Sequence, residues 1–430
     1  MLIEFRVKNF RSIRKEQVLS LVKSTGEDLE STNWFQAPDP NNISLLNSVV
    51  IYGANASGKS NIILALKAME RIVINSARKT QRGDELPVTP FLFSSKTAKA
   101  PTEFEASFIK NNIRYQYGFT ASKEIIFNEW LIAYPKGRPQ KWFTRTYQKK
   151  SKEYKWELGS SFTGKKQYLV DATRPNALFL STAIQLNNKQ LQPIYDWFRY
   201  TSRISSTGGW GPSFTASECE ENKKTKEEVL RFLKAADLGI SDISIKAEKF
   251  DPTLLDSNLP QVMIDEMIEE FKDKEIFEIK STHKTAEGKN IQLNFKEESD
   301  GTKKVFAFAG PLLDSLKNGY VMIIDELHDN LHPKIVEYLV KLFHNPRTNP
   351  NNAQLIFTTH ETSILNQEIF RRDQIWFCEK NEEQSTDLFP LTDFSPRKGR
   401  DNLELAYLAG RYGAIPFIGR FDYVGSNSGR

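Results

Sequence analysis

The strongest chemical signal in the chain is a run of eight residues, Gly53, Ala54, Asn55, Ala56, Ser57, Gly58, Lys59 and Ser60, followed by Asn61. The run satisfies G-x-x-x-x-G-K-[ST]. It stands where the apolar stretch 44–52 gives way to apolar residues at Ile62, Leu64, Leu66, Met69, Ile72 and Val73, the spacing of one helix face. Glycines let backbone N–H groups curl around a polyphosphate, and the helix adds the positive end of its dipole. Lys59 then reaches the β and γ phosphates, and the Ser60 hydroxyl ligates Mg²⁺. A second signal is the apolar run 320–324 ending in Asp325 and Glu326. Two adjacent carboxylates at a strand tip can divide the work, Asp325 holding the metal and Glu326 orienting or deprotonating an attacking water. A third run, 355–358, leads to His360, whose neutral imidazole can hydrogen-bond a γ-phosphate. Finally, Glu298-Ser299-Asp300-Gly301-Thr302 precedes a helical stretch starting near Lys304 and offers hydroxyls and N–H groups to an anion. Alone, that last pattern reads no further than a helix cap.

Positioning these groups needs strands and helices on both sides of them. Residues 1–22 alternate apolar and charged positions, as half-buried strands do, and 24–43 are polar and Pro/Asn-rich. From 102 to 156 come five short β-like runs separated by turns, a meander. Helices are expected over 176–198, 225–238 and 260–273, with a Gly/Ser-rich mobile loop at 201–213 and a hairpin over 275–282 and 290–296. Beyond residue 300 helix and strand alternate, the pattern of an α/β fold, and no internal repeat is seen.

Composition sets the outer bounds. At 430 residues the chain is expected to hold two or three units. A hydrophobic content of 39% and only 19 Pro and 22 Gly exclude a disordered or fibrous chain. Two cysteines, Cys219 and Cys378, exclude a disulfide framework and suit a reducing cytosol. No signal-like N-terminus or membrane-length apolar window is present, so a soluble cytoplasmic protein with no membrane partner is expected. The net charge of +5 is unevenly spread: 110–166 holds 13 Lys or Arg against 4 Asp or Glu, whereas 251–300 holds 6 against 13.

Taken in order, GANASGKS, ESDGT, YVMIIDELHDNLHP and LIFTTH resemble the ABC-type ATPase heads of the SMC/RecF/OLD class, as does the opening FRVKNFRSI. More narrowly, ESDGT, the DEL-x4-HP block and NLELAYLAGRYGAIPF resemble the RloA-like ATPases of bacterial abortive-infection and phage-defence operons. The resemblance covers roughly 1–120 and 290–420. It implies an α/β fold: an ABC-type P-loop NTPase head, a mixed β-sheet with flanking helices, carrying an inserted β-meander and helical lid lobe. The expected partition is 1–120 for the first half of the head, 121–290 for the insertion and 291–430 for the second half. ATP and Mg²⁺ are the implied cofactors, with Ser60 and Asp325 on the metal. Ser299 and Gly301 are implied to touch the γ-phosphate held by Lys59 of a second subunit, with Asp329 in the D-loop and His360 completing a composite site. Hydrolysis then requires a homodimer or a higher oligomer. A Q-loop glutamine is also implied between Ser60 and the insertion, and the sequence does not mark it.

Three other patterns decide little. His328-Asp-Asn-Leu-His332 has Asp where the zinc motif H-E-x-x-H has Glu, and Glu278-Ile-Lys280 is half of a nuclease pattern without its acidic support. No D-x-D pair occurs anywhere, so the chain itself is not expected to cut nucleic acid, unlike OLD-type relatives that carry a two-metal nuclease. In 110–166 cations interleave with Tyr115, Tyr117, Trp130, Trp142, Tyr147 and Trp156, a pattern shared by nucleic-acid interfaces and by ordinary sheets with one wet face. The leading expectation is an ATP-hydrolysing dimeric switch in phage defence that controls a separate effector, a nuclease by the operon resemblance. The alternatives are a DNA-repair or chromosome-maintenance clamp using the basic lobe, and a scaffold that binds ATP without hydrolysing it. ATP and GTP are not distinguished, since the loop reads phosphates.

Overall fold

The computed structural model describes residues 1–205, 209–249, 261, 268 and 275–416. The alternating N-terminus forms an antiparallel pair, β1 (Leu2–Lys8) and β2 (Gln17–Ser20), which buries Leu2, Phe5 and Val7. A short pair, β3 (Trp34–Gln36) and β4 (Ser44–Leu46), leads into β5 (Ser48–Tyr52), buried at every residue, and then into the 17-residue helix α1 (Lys59–Asn75). The meander follows as β6 (Thr102–Lys110), β7 (Ile113–Ala121), β8 (Ile126–Tyr134), β9 (Gln140–Gln148) and β10 (Glu153–Leu158).

The meander is continuous with the opening strands. Because β6 pairs antiparallel with β1, one seven-stranded sheet runs β10-β9-β8-β7-β6-β1-β2. A boundary at residue 120 falls within β7, one residue before its end, inside this sheet, where β7 pairs with β8 from Arg114 with Tyr134 to Ala121 with Ile126. The free edge of β1 needs partners for its N–H and C=O groups, and β6 supplies them.

Next come α2 (Lys166–Ala172), α3 (Phe179–Gln185) and α4 (Gln192–Asp196), where the periodicity predicts one helix over 176–198. Asn187 turns left-handed at φ 60°, and Pro193 can only stand in the first turn of a helix, so the chain breaks between them. After a π-helical turn at Trp197–Thr201, the stretch read as a loop begins with a strand, β11 (Ser202–Ser205). Helices α5 (Ser213–Glu221) and α6 (Lys223–Ala235) precede a three-stranded antiparallel sheet of β12 (Ile240–Lys249), β13 (Glu275–Lys284) and β14 (Asn290–Asn294). Of the helix expected over 260–273, Gln261 and Ile268 are described, both helical, and the other positions lie outside the described residues.

The C-terminal part holds α7 (Asp300–Asn318), β15 (Val321–Ile324), α8 (Pro333–His344), β16 (Gln354–Thr358), β17 (Ile375–Lys380), β18 (Thr386–Pro390) and α9 (Leu403–Leu408). Its strands join β5 and β11 in a six-stranded sheet ordered β11-β15-β16-β5-β17-β18, parallel throughout except for β18. Alternation along β5 divides the interior. Val49 and Ile51 face a core shared with α1 and the seven-stranded sheet, while Val50 and Tyr52 face a second core shared with α7 and α8. Helix α1 is thus held between the two sheets with its N-terminus at the end of β5. Among the described residues no helix is long and apolar enough to cross a membrane.

Candidate active site

Register places the chemical groups together. In the parallel sheet Ile324 lies beside Phe357, Thr358 beside Ile51, and Tyr52 beside Phe377. The residues that follow these strands, Asp325 and Glu326, Thr359 and His360, and the Gly53 loop, therefore leave the sheet at one edge, where open α/β sheets carry their ligand sites.

The Gly53–Ser60 loop is wedged between the N-terminal turn and the β17–β18 hairpin. Gly58 caps α1 at φ 108°, and a Cβ there would stand 2.0 Å from Thr386 Oγ1 and 2.9 Å from Ser12 Oγ. A Cβ on Gly53 would stand 2.3 Å from the Cys378 carbonyl oxygen. Thr386 Oγ1 donates to the Ser57 carbonyl at 2.8 Å, and Asn61 Nδ2 donates to Ser12 Oγ at 2.7 Å. Lys59 is buried and folds back onto its own loop, with Nζ donating to the carbonyls of Gly53 (2.7 Å) and Ala54 (2.9 Å). Burial lowers its pKa, opposed by Cys378, Glu326 and Asp325. Asn55 and Ala56 are exposed, Ala56 in the left-handed region at φ 62°.

Thr358 organises the carboxylate pair. Its hydroxyl donates to Asp325 Oδ1 at 2.7 Å and accepts the Glu326 N–H at 2.8 Å, while its carbonyl accepts the Leu327 N–H at 3.1 Å. The Asp325 N–H donates to the Ser205 carbonyl at 3.2 Å, so the edge strand β11 braces the same turn. Asp325 is buried, Glu326 is half-buried, and Glu326 turns its backbone to φ 54°. Such a left-handed residue at a strand end points to a side chain re-aimed by its surroundings.

His360 stands with its ring edge-on to His328, centroids 5.4 Å apart. Burial, then the Lys59 ammonium and His328, push His360 down to about 4, with Asp325 opposing. His328 is also lowered, mainly by burial, and its Nδ1 is buried without a hydrogen-bond partner. Both rings are neutral at physiological pH, and a neutral His360 still carries one N–H to donate.

The remaining predicted residues form a separate patch. Ser299 caps α7, its Oγ accepting the Thr302 N–H at 3.1 Å and lying 2.8 Å from Thr302 Oγ1, so the helix begins at Asp300 rather than near Lys304. Ser299 and Asp300 are exposed. A Cβ on Gly301 would approach the Asn330 carbonyl to 2.9 Å, and Lys304 Nζ pairs with Asp329 Oδ2 at 3.0 Å. The signature turn, Ser299–Thr302, and the D-loop around Asp329 are thereby joined. Among the described residues no hydrogen bond or ion pair connects Ser299, Gly301 or Asp329 to the Gly53–Ser60 loop.

Sequence reasoning did not single out Thr358, Lys304 or Ser205, and read His328 only as part of a zinc-like pattern. The threonine pair before His360 was the one available signal for Thr358. His332 caps α8, its Nδ1 accepting the Lys334 N–H, and Glu278 pairs with Lys280 at 3.0 Å on an open strand face. In the basic meander Tyr115, Tyr117 and Trp142 are buried, Trp130 donates its indole N–H to Glu105 at 2.8 Å, and Trp156 packs on Phe179 at 5.1 Å. Arg145 is internal too, paired with buried Glu129 at 3.6 Å and donating to the carbonyls of Ala177 and Arg174.

A parallel sheet that delivers a phosphate loop, a carboxylate pair and a histidine to one edge, with an antiparallel sheet built on β1 across α1, defines an ABC-type P-loop NTPase head. The chain belongs to the family described as "AAA domain, putative AbiEii toxin, Type IV TA system", whose model matches residues 48–366, and it is an ATPase of that kind. The sequence matches none of the curated proteins. Similar solved structures include the SMC head domain from Thermotoga maritima, at 13% identity over 90% of this chain and 98% of that one, with a TM-score of 0.40. An SMC head bound to the C-winged helix domain of ScpA is 14% identical over 90% and 97%, with a TM-score of 0.39. The recombination mediator RecF with ATP is 14% identical over 90% and 99%, with a TM-score of 0.35.

Proposed function

We propose that this protein is an ATP-hydrolysing dimeric switch of a bacterial abortive-infection system, sensing a trigger and controlling a separate effector, a nuclease. The observation that carries the dimeric reading is the division of the nucleotide-handling groups into two patches. One holds Lys59, Asp325, Glu326 and His360; the other, exposed and braced by the Lys304–Asp329 pair, holds Ser299 and Gly301. A lone chain leaves the second patch without a substrate, and a two-fold arrangement brings it to the first patch of a partner.

The residues present fit Mg-ATP. The loop leaves no room for a Cβ at Gly53 or Gly58, and the buried Ser57 Oγ has no hydrogen-bond partner. Lys59 is a cation resting on two carbonyls, ready to move to a phosphate. Ser60 and Asp325 would hold the Mg²⁺, which supplies charge neutralisation at the phosphates. Glu326, its backbone fixed by Thr358, orients and deprotonates the attacking water. His360, kept neutral by burial, donates its N–H to the terminal phosphate.

The test is phosphate release and light scattering on the full chain with Mg-ATP. The expected result is hydrolysis whose specific rate rises with protein concentration, and a Glu326→Gln variant that binds nucleotide, accumulates as a dimer and turns over about 100-fold more slowly or less. An unchanged rate in that variant, or a monomer under all conditions, overturns the proposal. Affinity purification of the Glu326→Gln protein from its host with Mg-ATP tests the second half. A stoichiometric nuclease-like protein supports the effector reading, and nucleic acid alone supports the clamp. The clamp reading has less behind it, because the meander aromatics and Arg145 are occupied internally and only surface cations remain to meet phosphates.

A further inference from the structure

We infer that Glu298, His283 and Ser281 form a positioning junction through which the three-stranded sheet β12-β13-β14 sets the geometry of the signature turn, making that sheet an input to the ATP site. The inference deepens the composite-site reading above and rests on it.

The junction is specific. One carboxylate oxygen, Glu298 Oε1, meets both the Ser281 hydroxyl at 2.5 Å and His283 Nε2 at 2.6 Å. Ser281 and His283 are two residues apart on β13 and so share one face of the strand, aimed at the same point. Ser281 is fully buried, and the Glu298 side chain is only 10% exposed. Glu298 directly precedes Ser299, with extended backbone at φ −65° and ψ 158°, so a displacement of its carboxylate passes through a few torsions to the Ser299 hydroxyl.

Among the described residues, the other contacts that hold the signature turn come mainly from its own half of the head. Phe295 is buried against Phe306 at 4.8 Å, and the D-loop meets the turn through Gly301 with Asn330 and Lys304 with Asp329. The contact from β13 is of a different kind, because the sheet behind it has little core of its own. β14 is exposed at every residue, and Ile276, Ile291 and Leu293 stand 44%, 50% and 37% exposed. Its inner side rests on α5 and α6 through Ile243 and Ile279, the same helices that pack on α7. A sheet anchored at one side and open at the other, with a polar clasp on the residue before Ser299, is placed to convey its own displacement to the composite site. His283 and Ser281 are thus positioning residues, acting through Glu298.

The test compares His283→Ala/Ser281→Ala, the conservative His283→Gln, and wild type, each also carried in the Glu326→Gln background. The measurements are fluorescent-nucleotide affinity of the isolated protomer, kcat and KM for ATP, ATP-driven dimerisation, and melting temperature. The double alanine variant is expected to keep protomer nucleotide affinity within twofold, to lose kcat about tenfold, and to dimerise about tenfold more weakly, with His283→Gln recovering most of both. A double variant with wild-type kcat and dimerisation overturns the inference, as does a lowered melting temperature with unchanged kcat per folded protein, which would make the clasp structural only. If that variant does not fold, His283→Gln and Ser281→Ala singly carry the same readouts. Failure of the Glu326→Gln protein to dimerise with ATP defeats the composite-site reading itself and removes the junction with it, whereas normal dimerisation there with no effect of the junction variants defeats the junction alone.

Discussion

Replacing Thr358 with Val tests whether one buried hydroxyl organises the carboxylate pair. The change is nearly isosteric, and Thr358 is fully buried, so packing is preserved while two hydrogen bonds vanish. The bond from Thr358 Oγ1 to the Asp325 carboxylate is of the charge-assisted kind, worth about 1.5–3 kcal/mol, and the Glu326 N–H is left without its acceptor at a cost of about 1–3 kcal/mol. Allowing for partial relaxation, unfolding should become easier by about 3 kcal/mol, read by chemical denaturation. Catalysis should suffer as well, because the Glu326 backbone at φ 54° is held by that same oxygen. A loss of about 1.4–2.7 kcal/mol of transition-state positioning is a 10- to 100-fold fall in kcat. Thr358→Ser keeps the hydroxyl and should restore kcat to within about threefold of wild type. A Thr358→Val protein with stability within about 0.5 kcal/mol of wild type and unaltered kcat would refute the assignment.

Gly58→Ala should abolish nucleotide binding, since a Cβ at φ 108° meets Thr386 Oγ1 at 2.0 Å; equilibrium titration with a fluorescent nucleotide checks this, and retained affinity would mean that the loop is more plastic than its contacts imply. Glu129→Ala should destabilise the protein by about 3–5 kcal/mol by stranding the buried Arg145, the Tyr117 hydroxyl and the N–H groups of Phe179 and Leu180; a melt within about 2 °C of wild type would contradict it. Acid should weaken the fold through His344, which is fully buried, lies 2.7 Å from Ser48 Oγ, and is pushed down to about 3 by burial and Lys341. Here the unfolded chain binds the proton first, so stability falls as pH drops from 6.5 towards 3. Between pH 7.5 and 5 the loss from this group is about 2 kcal/mol, and His344→Gln should flatten the urea midpoint over that range by the same amount.

The strand, glycine turn and helix around Lys59 were readable because their evidence is local: an apolar run, a glycine pair at fixed spacing, and helical periodicity within 30 residues. The runs ending at Asp325 and His360 are local in the same way. What stayed hidden depends on distant pairing. Nothing in 102–110 says that it bonds to residues 2–8 rather than heading a separate lobe, since both stretches share the same two-residue period. Ser202–Ser205 is too short and too polar to announce a strand, and becomes one because β15 offers a free edge. Thr358 looks like any strand threonine until Asp325 and Glu326 arrive beside it, and the Lys304–Asp329 pair joins residues that only the meeting of α7 with the D-loop brings within reach. The aromatic and basic pattern of 110–166 was ambiguous for a physical reason, because a sheet with one wet face and a nucleic-acid groove impose the same alternation.

The central claim is that each ATP site is built from two chains, and mixing two dead variants tests it most directly. Lys59→Ala removes one half of a site and Ser299→Arg blocks the other, so each homodimer has both sites disabled. In a mixed dimer one site carries both lesions and the other carries neither. A one-to-one mixture, with half of its dimers mixed and one working site in each, should hydrolyse ATP at roughly a quarter of the wild-type rate. A mixture no faster than the two variants measured separately would show that the site is complete within a single chain.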